Sequence, residues 1–567
     1  FKQKTAYEIM PSLVGSEMCI RDRHRVLIRY GGHNQGGGGA QYSEVWTFDL
    51  ETCRWTLKLP NTSPPGVCCA QQNVFDPISA RYVRFPAFSG NHGWQWFREI
   101  YLNNSTIWMY DLEGNCWINR CPVPAPRVSP LRCASWDSEA QVIVLFGGEG
   151  NREGTVVYDP FTNSWTWMHP PKEPPFRSAG NMTYDSKRKR HILFGAQFSN
   201  DPHTRAYDLR KNLWIDLKPP VLPPTNRNDA VLVYDSRNDV VVCIVHQEQK
   251  GNFRDKLESW VYEPAKNTWR PLKPKREPDP SGNRARVICY APEYGLVVLE
   301  NRTRSKPGPP EQQIWTYLYR EPPPLPKPPA PEGLKISTGK NFATLSWKKL
   351  SDPKVRGYLV LKASGDKPWL LNFKVVARVP ADQCRYVDRG LEREKIYFYA
   401  AKAISEEGVG PRSYFVRTQP PIVEDIVVSV LSPKEVEVRW RPPLSCKDIV
   451  AWRIERAPCE VWSEDQLTRL RRGKPQAPEP AVGAIKAIGH FLTVATVPAE
   501  VFSIKDKVDL RSPCKILDGP IYKSKFYKEN LRPEGKPYRF AVYAYRVRAI
   551  NALGVVGGPS PYVLTIP

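Results

Sequence analysis

Four arginines recur along the first half of this sequence at intervals of about fifty residues: Arg127, Arg177, Arg227 and Arg284. A guanidinium stays charged at every physiological pH, and its planar fork of donors fits a carboxylate, sulfate or phosphate. Around them lie polar and aromatic residues in Gly- and Asn-rich stretches: His33, Asn34, Gln35, Trp94, Trp96, Arg98, Arg152 and Arg254. Exposed aromatics of this kind suit sugar rings or peptide side chains. The set suits recognition of an anionic partner and not bond making. A plainer reading gives each arginine a structural ion pair with a nearby acid.

Catalytic chemistry has no foothold in the sequence. H-E-x-x-H, G-x-S-x-G and phosphate-loop patterns are absent. The Gly36–Gly39 run lacks a following Lys-Ser/Thr and a helical pattern, and reads as a turn. The eight histidines are dispersed; His24 and His33 alone fall within ten residues of each other. No two cysteines share a C-x2-C spacing, so no zinc array is indicated. No catalytic residue, metal or cofactor is expected.

The elements that must position the arginines repeat at the same interval. Phe48-Asp49 to Trp55, Tyr110-Asp111 to Trp117, Tyr158-Asp159 to Trp165, Tyr207-Asp208 to Trp214 and Tyr262-Glu263 to Trp269 share one pattern. An aromatic is followed by an acid, and a Trp falls seven places after the aromatic. Ile314–Tyr317 is a weaker sixth copy without the Trp. Upstream of several copies stands an apolar run that stops at glycine, as in Val142–Gly148 and Ile192–Gly195. Before that comes an aromatic-Asp pair: Phe75-Asp76, Trp136-Asp137, Tyr184-Asp185 or Tyr234-Asp235. Each repeat therefore reads as four short strands, rich in β-branched and aromatic residues and separated by turn residues.

This scheme resembles the kelch repeat, with Gly-Gly closing the second strand, Tyr-Asp the third and Trp opening the fourth. The resemblance covers residues 24–320 and implies a β-propeller of about six visible blades, the first truncated. It also implies that the four arginines form an arc near one mouth of the channel, beside the loops 33–43, 87–106, 149–154, 196–204, 247–258 and 301–313.

Residues 1–23 resemble a translated sequencing adapter and are expected to be non-native, with no targeting role. Residues 321–331 form a Pro-rich linker, expected to act as an extended spacer. Residues 332–420 resemble a fibronectin type III domain, through Trp347, Tyr358 and the aromatic alternation Tyr397–Ala403. Residues 421–567 resemble a second, through Trp440, Trp452 and Tyr545–Gly554. The 93-residue gap from Trp452 to Tyr545 sets apart an insertion at about 458–535, whose Ser463–Arg472 stretch could form a short helix. A pairing of Cys459 with Cys514 is one of several disulfides that the sequence leaves open.

The whole reads as all-β, a kelch-type propeller followed by two fibronectin type III-like sandwiches. Its expected function is that of a non-catalytic scaffold whose propeller loop face binds a protein, peptide or anionic glycan. The resemblance leaves two alternatives: a kelch-fold carbohydrate enzyme, similar to galactose oxidase or to a sialic-acid isomerase, and a nuclear co-regulator similar to host cell factor. The net charge of +24 is scattered over every segment, and specific nucleic-acid binding is not expected. No apolar run is long enough to span a membrane as a helix. An extracellular or cell-surface location is favoured.

Overall fold

The computed structural model describes residues 2–4, 17–21, 26–30, 44–62, 64, 73–85, 107–126, 132–148, 154–175, 181–195, 203–224, 230–246, 256–303, 311–443, 447–461, 485–512, 514, 516, 518–523 and 541–566. Among these residues the chain is all-β, apart from one 3-10 turn at Pro368–Leu370.

Strands build six antiparallel sheets of four in the first half. The first contains Glu17–Arg21, Val26–Tyr30, Val45–Asp49 and Trp55–Lys58; the second Asn73–Asp76, Arg81–Arg84, Trp108–Asp111 and Cys116–Asn119. The third contains Arg132–Asp137, Val142–Gly147, Val156–Asp159 and Ser164–Trp167; the fourth Asn181–Asp185, Arg190–Phe194, Arg205–Asp208 and Leu213–Asp216. The fifth contains Val231–Asp235, Val240–His246, Leu257–Glu263 and Thr268–Pro271. The sixth contains Ser281–Ala291, Leu296–Thr303 and Glu311–Tyr317, with Lys2–Lys4 paired along the last of these. Thus two stretches of the adapter-like segment lie as strands, one in the first sheet and one in the sixth. Main-chain pairing of this kind asks little of the side chains.

First strands of consecutive sheets are neighbours, and the first strand of the sixth sheet also lies beside that of the first. The first five sheets pack each on the next through one recurrent aromatic pair. The Trp of the fourth strand meets the aromatic that closes the second strand of the preceding sheet. Ring centroids are 4.6 Å apart for Trp117 and Tyr30, 6.0 Å for Trp165 and Phe85, 4.8 Å for Trp214 and Phe146, and 4.9 Å for Trp269 and Phe194. The indoles of Trp214 and Trp269 also donate to Thr155 and Thr204 of the preceding sheet, at 2.9 and 2.8 Å.

A second bracket joins the same sheets. The repeat tyrosines Tyr110, Tyr158, Tyr207 and Tyr262 donate to the Oδ1 atoms of Asn115, Asn163, Asn212 and Asn267, at 2.7, 2.8, 2.8 and 2.7 Å. Each Asn sits in the left-handed backbone region, where Asn is among the few non-glycine residues tolerated. Its amide donates back to a carbonyl of the preceding sheet: Leu59, Arg120, Met168 and Leu217 respectively. In the first copy Phe48 and Cys53 stand in place of the Tyr and the Asn, so both partners change together. Asn163 is 1% exposed. Asn163→Ala should cost about 2–4 kcal/mol, two buried hydrogen bonds at ~1 kcal/mol each plus the strain of a left-handed alanine. Asn163→Gly should cost less, since glycine relieves the strain; chemical denaturation of both variants checks the order.

The second half forms two sandwiches. In the first, Lys335–Thr338, Phe342–Ser346 and Arg385–Arg389 face a sheet of Val355–Ser364, Lys374–Pro380, Tyr397–Ser405, Gly408–Val409 and Val416–Arg417. In the second, Asp425–Ser432, Glu435–Arg441 and Ser503–Lys507 face a sheet built on Ile449–Val461 and Val542–Asn551. Trp347 and Tyr358 fill the first core, Trp440 and Trp452 the second. One polar device repeats. Tyr399 donates to Asp388, which also pairs with Lys362; Tyr545 donates to Asp506, which also pairs with Arg456. Within 458–535, Leu492–Pro498 and Ser503–Lys507 are strands of the sandwich itself, and Ile485–Ile488 pairs with the far end of Ile449–Val461. The Ser463–Arg472 stretch lies outside the described residues.

Candidate functional site

The antiparallel order gives each of the six sheets two ends of different character. At one end lie the hairpin turns between first and second strands and between third and fourth strands. Asp76, Asp137, Asp185 and Asp235 begin the former, each accepting backbone N–H groups two or three residues on. Asp49, Asp111, Asp159 and Asp208 begin the latter in the same way. The opposite end carries the turns that follow the second strands and the links from one sheet to the next.

The sandwiches dock at the hairpin-turn end, against the second, third and fourth sheets. Arg417, buried, pairs with Asp159 at 2.8 Å and lies over the ring of Phe161 at 4.4 Å. Glu424 receives Arg81 at 2.5 Å and also Arg120. Arg412 reaches Glu139 at 3.2 Å, and Arg210 donates to the Leu371 carbonyl at 3.3 Å. Trp369 shares a buried cluster with Ala140, Leu209 and Trp214, and along the edge of the second sheet Cys121 and Val123, which follow its fourth strand, share one with Cys459, Val542 and Tyr562. The Pro-rich segment lies along the same end, where Arg237 donates to the Pro323 carbonyl and Arg320 to Asn238. Burial pushes the Glu139 carboxyl upward, but Arg412 and Lys189 outweigh it and hold the group below the ordinary glutamate range. Its share of the docking is therefore complete at neutral pH and fades only as pH falls through that lowered value.

The opposite end is where the sequence places the candidate residues. His33, Asn34, Gln35, Trp94, Trp96, Arg98, Arg127, Arg152, Arg177, Arg227 and Arg254 lie outside the described residues. Arg284 falls in the first strand of the sixth sheet, with its backbone alone described.

Described residues at this end form a polar arc that runs from the fifth sheet through the sixth and first to the second. His246 Nε2 lies 3.3 Å from Arg286 Nη1. Arg286 stands opposite Asn301, which stands opposite Gln313. Glu300 pairs with Arg29 at 3.1 Å, and Gln312 accepts from Arg29 at 3.0 Å while donating to Glu300 at 2.5 Å. Arg84 and its strand partner Asn73 complete the arc in the second sheet. Arg29, Arg84 and Arg286 are all buried. Leu145 and Leu193 occupy the places of Arg29 and Arg84 in the third and fourth sheets, by the strand register. In the fifth and sixth sheets Ile244 and Glu300 replace the closing aromatic.

One constellation has the residue types of a hydrolytic triad. His191 Nδ1 lies 2.6 Å from Ser135 Oγ, and Nε2 lies 3.4 Å from Asp137. The imidazole is 0% exposed and stacked between Tyr184 and Tyr207, so no substrate can reach it. It is a core contact between the third and fourth sheets. Among the described residues no group of three or more His, Cys, Asp or Glu side chains is placed to hold a metal, and no helix is long and apolar enough to cross a membrane.

Sequence reasoning passed over the buried arc, although Arg29 and Arg84 interrupt apolar strands in which the other copies carry Leu or Cys. It also passed over the bracketing Asn, which recurs two places before the Trp in four copies.

No known family description matches this chain, and no curated protein does. Among solved structures, the chain is similar to one described as a myokine structure, at 25% identity, covering 17% of this chain and 99% of that one, with a TM-score of 0.15. It is also similar to a segment of two fibronectin type III domains from chicken tenascin, at 15% identity, covering 42% of this chain and 98% of that one, with a TM-score of 0.17.

Proposed function

We propose that this protein is a non-catalytic binding scaffold. In this reading the six sheets are the blades of a kelch-type propeller, and the two sandwiches are fibronectin type III-like modules docked on one end of it. The other end binds a protein, peptide or anionic glycan. The carrying observation is the division of labour between the two ends. One carries the chain's own sandwiches, docked on the second, third and fourth sheets. The other gathers buried Arg29, Arg84 and Arg286, and Leu145 and Leu193 take the places of Arg29 and Arg84 in the third and fourth sheets. Burying a guanidinium costs several kcal/mol of hydration, so its retention here points to a use. On the sequence reading, Arg127, Arg177 and Arg227 of the links between repeats would join them there. The neighbour order of the first strands, with the sixth sheet beside the first, supports closure of the ring.

The test is an array of acidic glycans and acidic peptides probed with the wild-type chain and with Arg177→Ala/Arg227→Ala. Wild type should bind with an affinity that falls steeply with salt. The double variant, folded by its melting curve, should lose most of that binding. Equal binding by both would remove the arginines from the mechanism.

A further inference from the structure

The outer face of the second sandwich carries an arrangement that the scaffold reading does not use. On the paired strands Ile449–Val461 and Val542–Asn551, Arg453 stands directly opposite Arg548, and Glu455 opposite Arg546. Directly opposed residues on antiparallel strands share a face, with Cβ atoms about 4.5–5.5 Å apart, and like charges there repel. Thr496, exposed on the adjacent strand Leu492–Pro498, extends the Arg453 row. Three guanidiniums and one carboxylate therefore share this patch. Glu455 Oε2 lies 2.5 Å from Arg546 Nε and 3.7 Å from Arg548 Nε. Arg546 is further held by the ring of Phe491, 3.9 Å from its guanidinium carbon. Arg548 Nε is buried without a hydrogen-bond partner. Among the described residues no second carboxylate stands within ion-pair distance of this row.

Burial, with Arg548 beside Arg546 and Arg453 beside Arg548, pulls both of these guanidiniums below the ordinary arginine value despite Glu455. The cost of this crowding falls away when a second negative charge joins the row. An ion with oxygens on several sides can take the fork of Arg453 and that of Arg548 together, with the Thr496 hydroxyl as a further donor.

We propose that this face holds a tetrahedral oxyanion, sulfate or phosphate, free or as an ester, between Arg453 and Arg548. The site is distinct from the propeller end and stands or falls independently of it.

The experiment is thermal unfolding of the full chain, titrated with low millimolar sodium sulfate or sodium phosphate against sodium chloride of equal ionic strength. The wild-type midpoint should rise saturably with one or both oxyanions above the chloride control, and the larger response tells which is preferred. Arg453→Thr should weaken that response by about tenfold or more in apparent affinity, the loss of one charge-assisted hydrogen-bonding group. In chloride alone it should be at least as stable as wild type, because it removes the opposed like charge. Arg548→Gln should lose the response as well. The absence of a saturable rise, an equal rise in Arg453→Thr, or a lower chloride midpoint for Arg453→Thr would each overturn the proposal.

Discussion

Arg417→Ala should destabilise the junction between the sheets and the sandwiches by about 3–5 kcal/mol, the range for removing one partner of a buried ion pair. Arg417 pairs with Asp159 at 2.8 Å, and both side chains are at most one tenth exposed. Its guanidinium is also enclosed by Phe161, Phe398 and Phe415, at 4.4, 5.4 and 5.6 Å. Truncation leaves a carboxylate facing an aromatic cavity with no cation. The double variant Arg417→Ala/Asp159→Ala should lose less than the sum of the two single variants, because neither then leaves a stranded charge. Differential scanning calorimetry reads the outcome: wild type should unfold with its halves coupled, and Arg417→Ala should split into separate transitions. A single unchanged transition would show that this pair does not hold the junction.

Trp269→Ala should cost about 3–5 kcal/mol, the range for truncating a buried large aromatic. Trp269 is 1% exposed, stacks on Phe194 and Tyr262, and donates to Thr204 of the preceding sheet. Trp165 occupies the same repeat position but is half-buried and 6.0 Å from Phe85. Trp165→Ala should therefore cost less than Trp269→Ala. Equal losses in denaturant melts would mean that the shared register, and not the local packing, sets the energy.

The repeat strands were legible because side-chain period and turn chemistry both mark them. Tyr158-Asp159 ends a strand and its Asp accepts from the turn backbone, so one dipeptide carries two signals. The Trp recurrence pointed to packing between repeats, yet its partner was hidden. Phe146 and Trp214 are 68 residues apart in the chain and meet only once the sheets are stacked. The Asn bracket was visible as a recurrence, but its meaning depends on a carbonyl in the preceding sheet. The docking of the sandwiches had no sequence signal at all. Arg417 and Asp159 are 258 residues apart, and each alone looks like an ordinary surface charge. The proline run read as a spacer because composition reports stiffness, whereas its contacts with Arg237 and Asn238 depend on tertiary placement. Of the candidate site, the recurrent arginines were legible as charges in the sequence, and all but Arg284 lie outside the described residues. The buried arc of Arg29, Arg84 and Arg286 was not legible, since an arginine within a short apolar strand looks the same whether it faces solvent or a neighbouring sheet.

The most direct test of the binding-scaffold account is hydrogen exchange of the Arg453→Thr chain with and without a polyglutamate peptide, which removes the sandwich site from the comparison. Added protection is expected in 33–43, 87–106, 149–154 and 247–258, fading as salt rises. Protection confined to the sandwiches, or spread evenly over the basic surface, would contradict it.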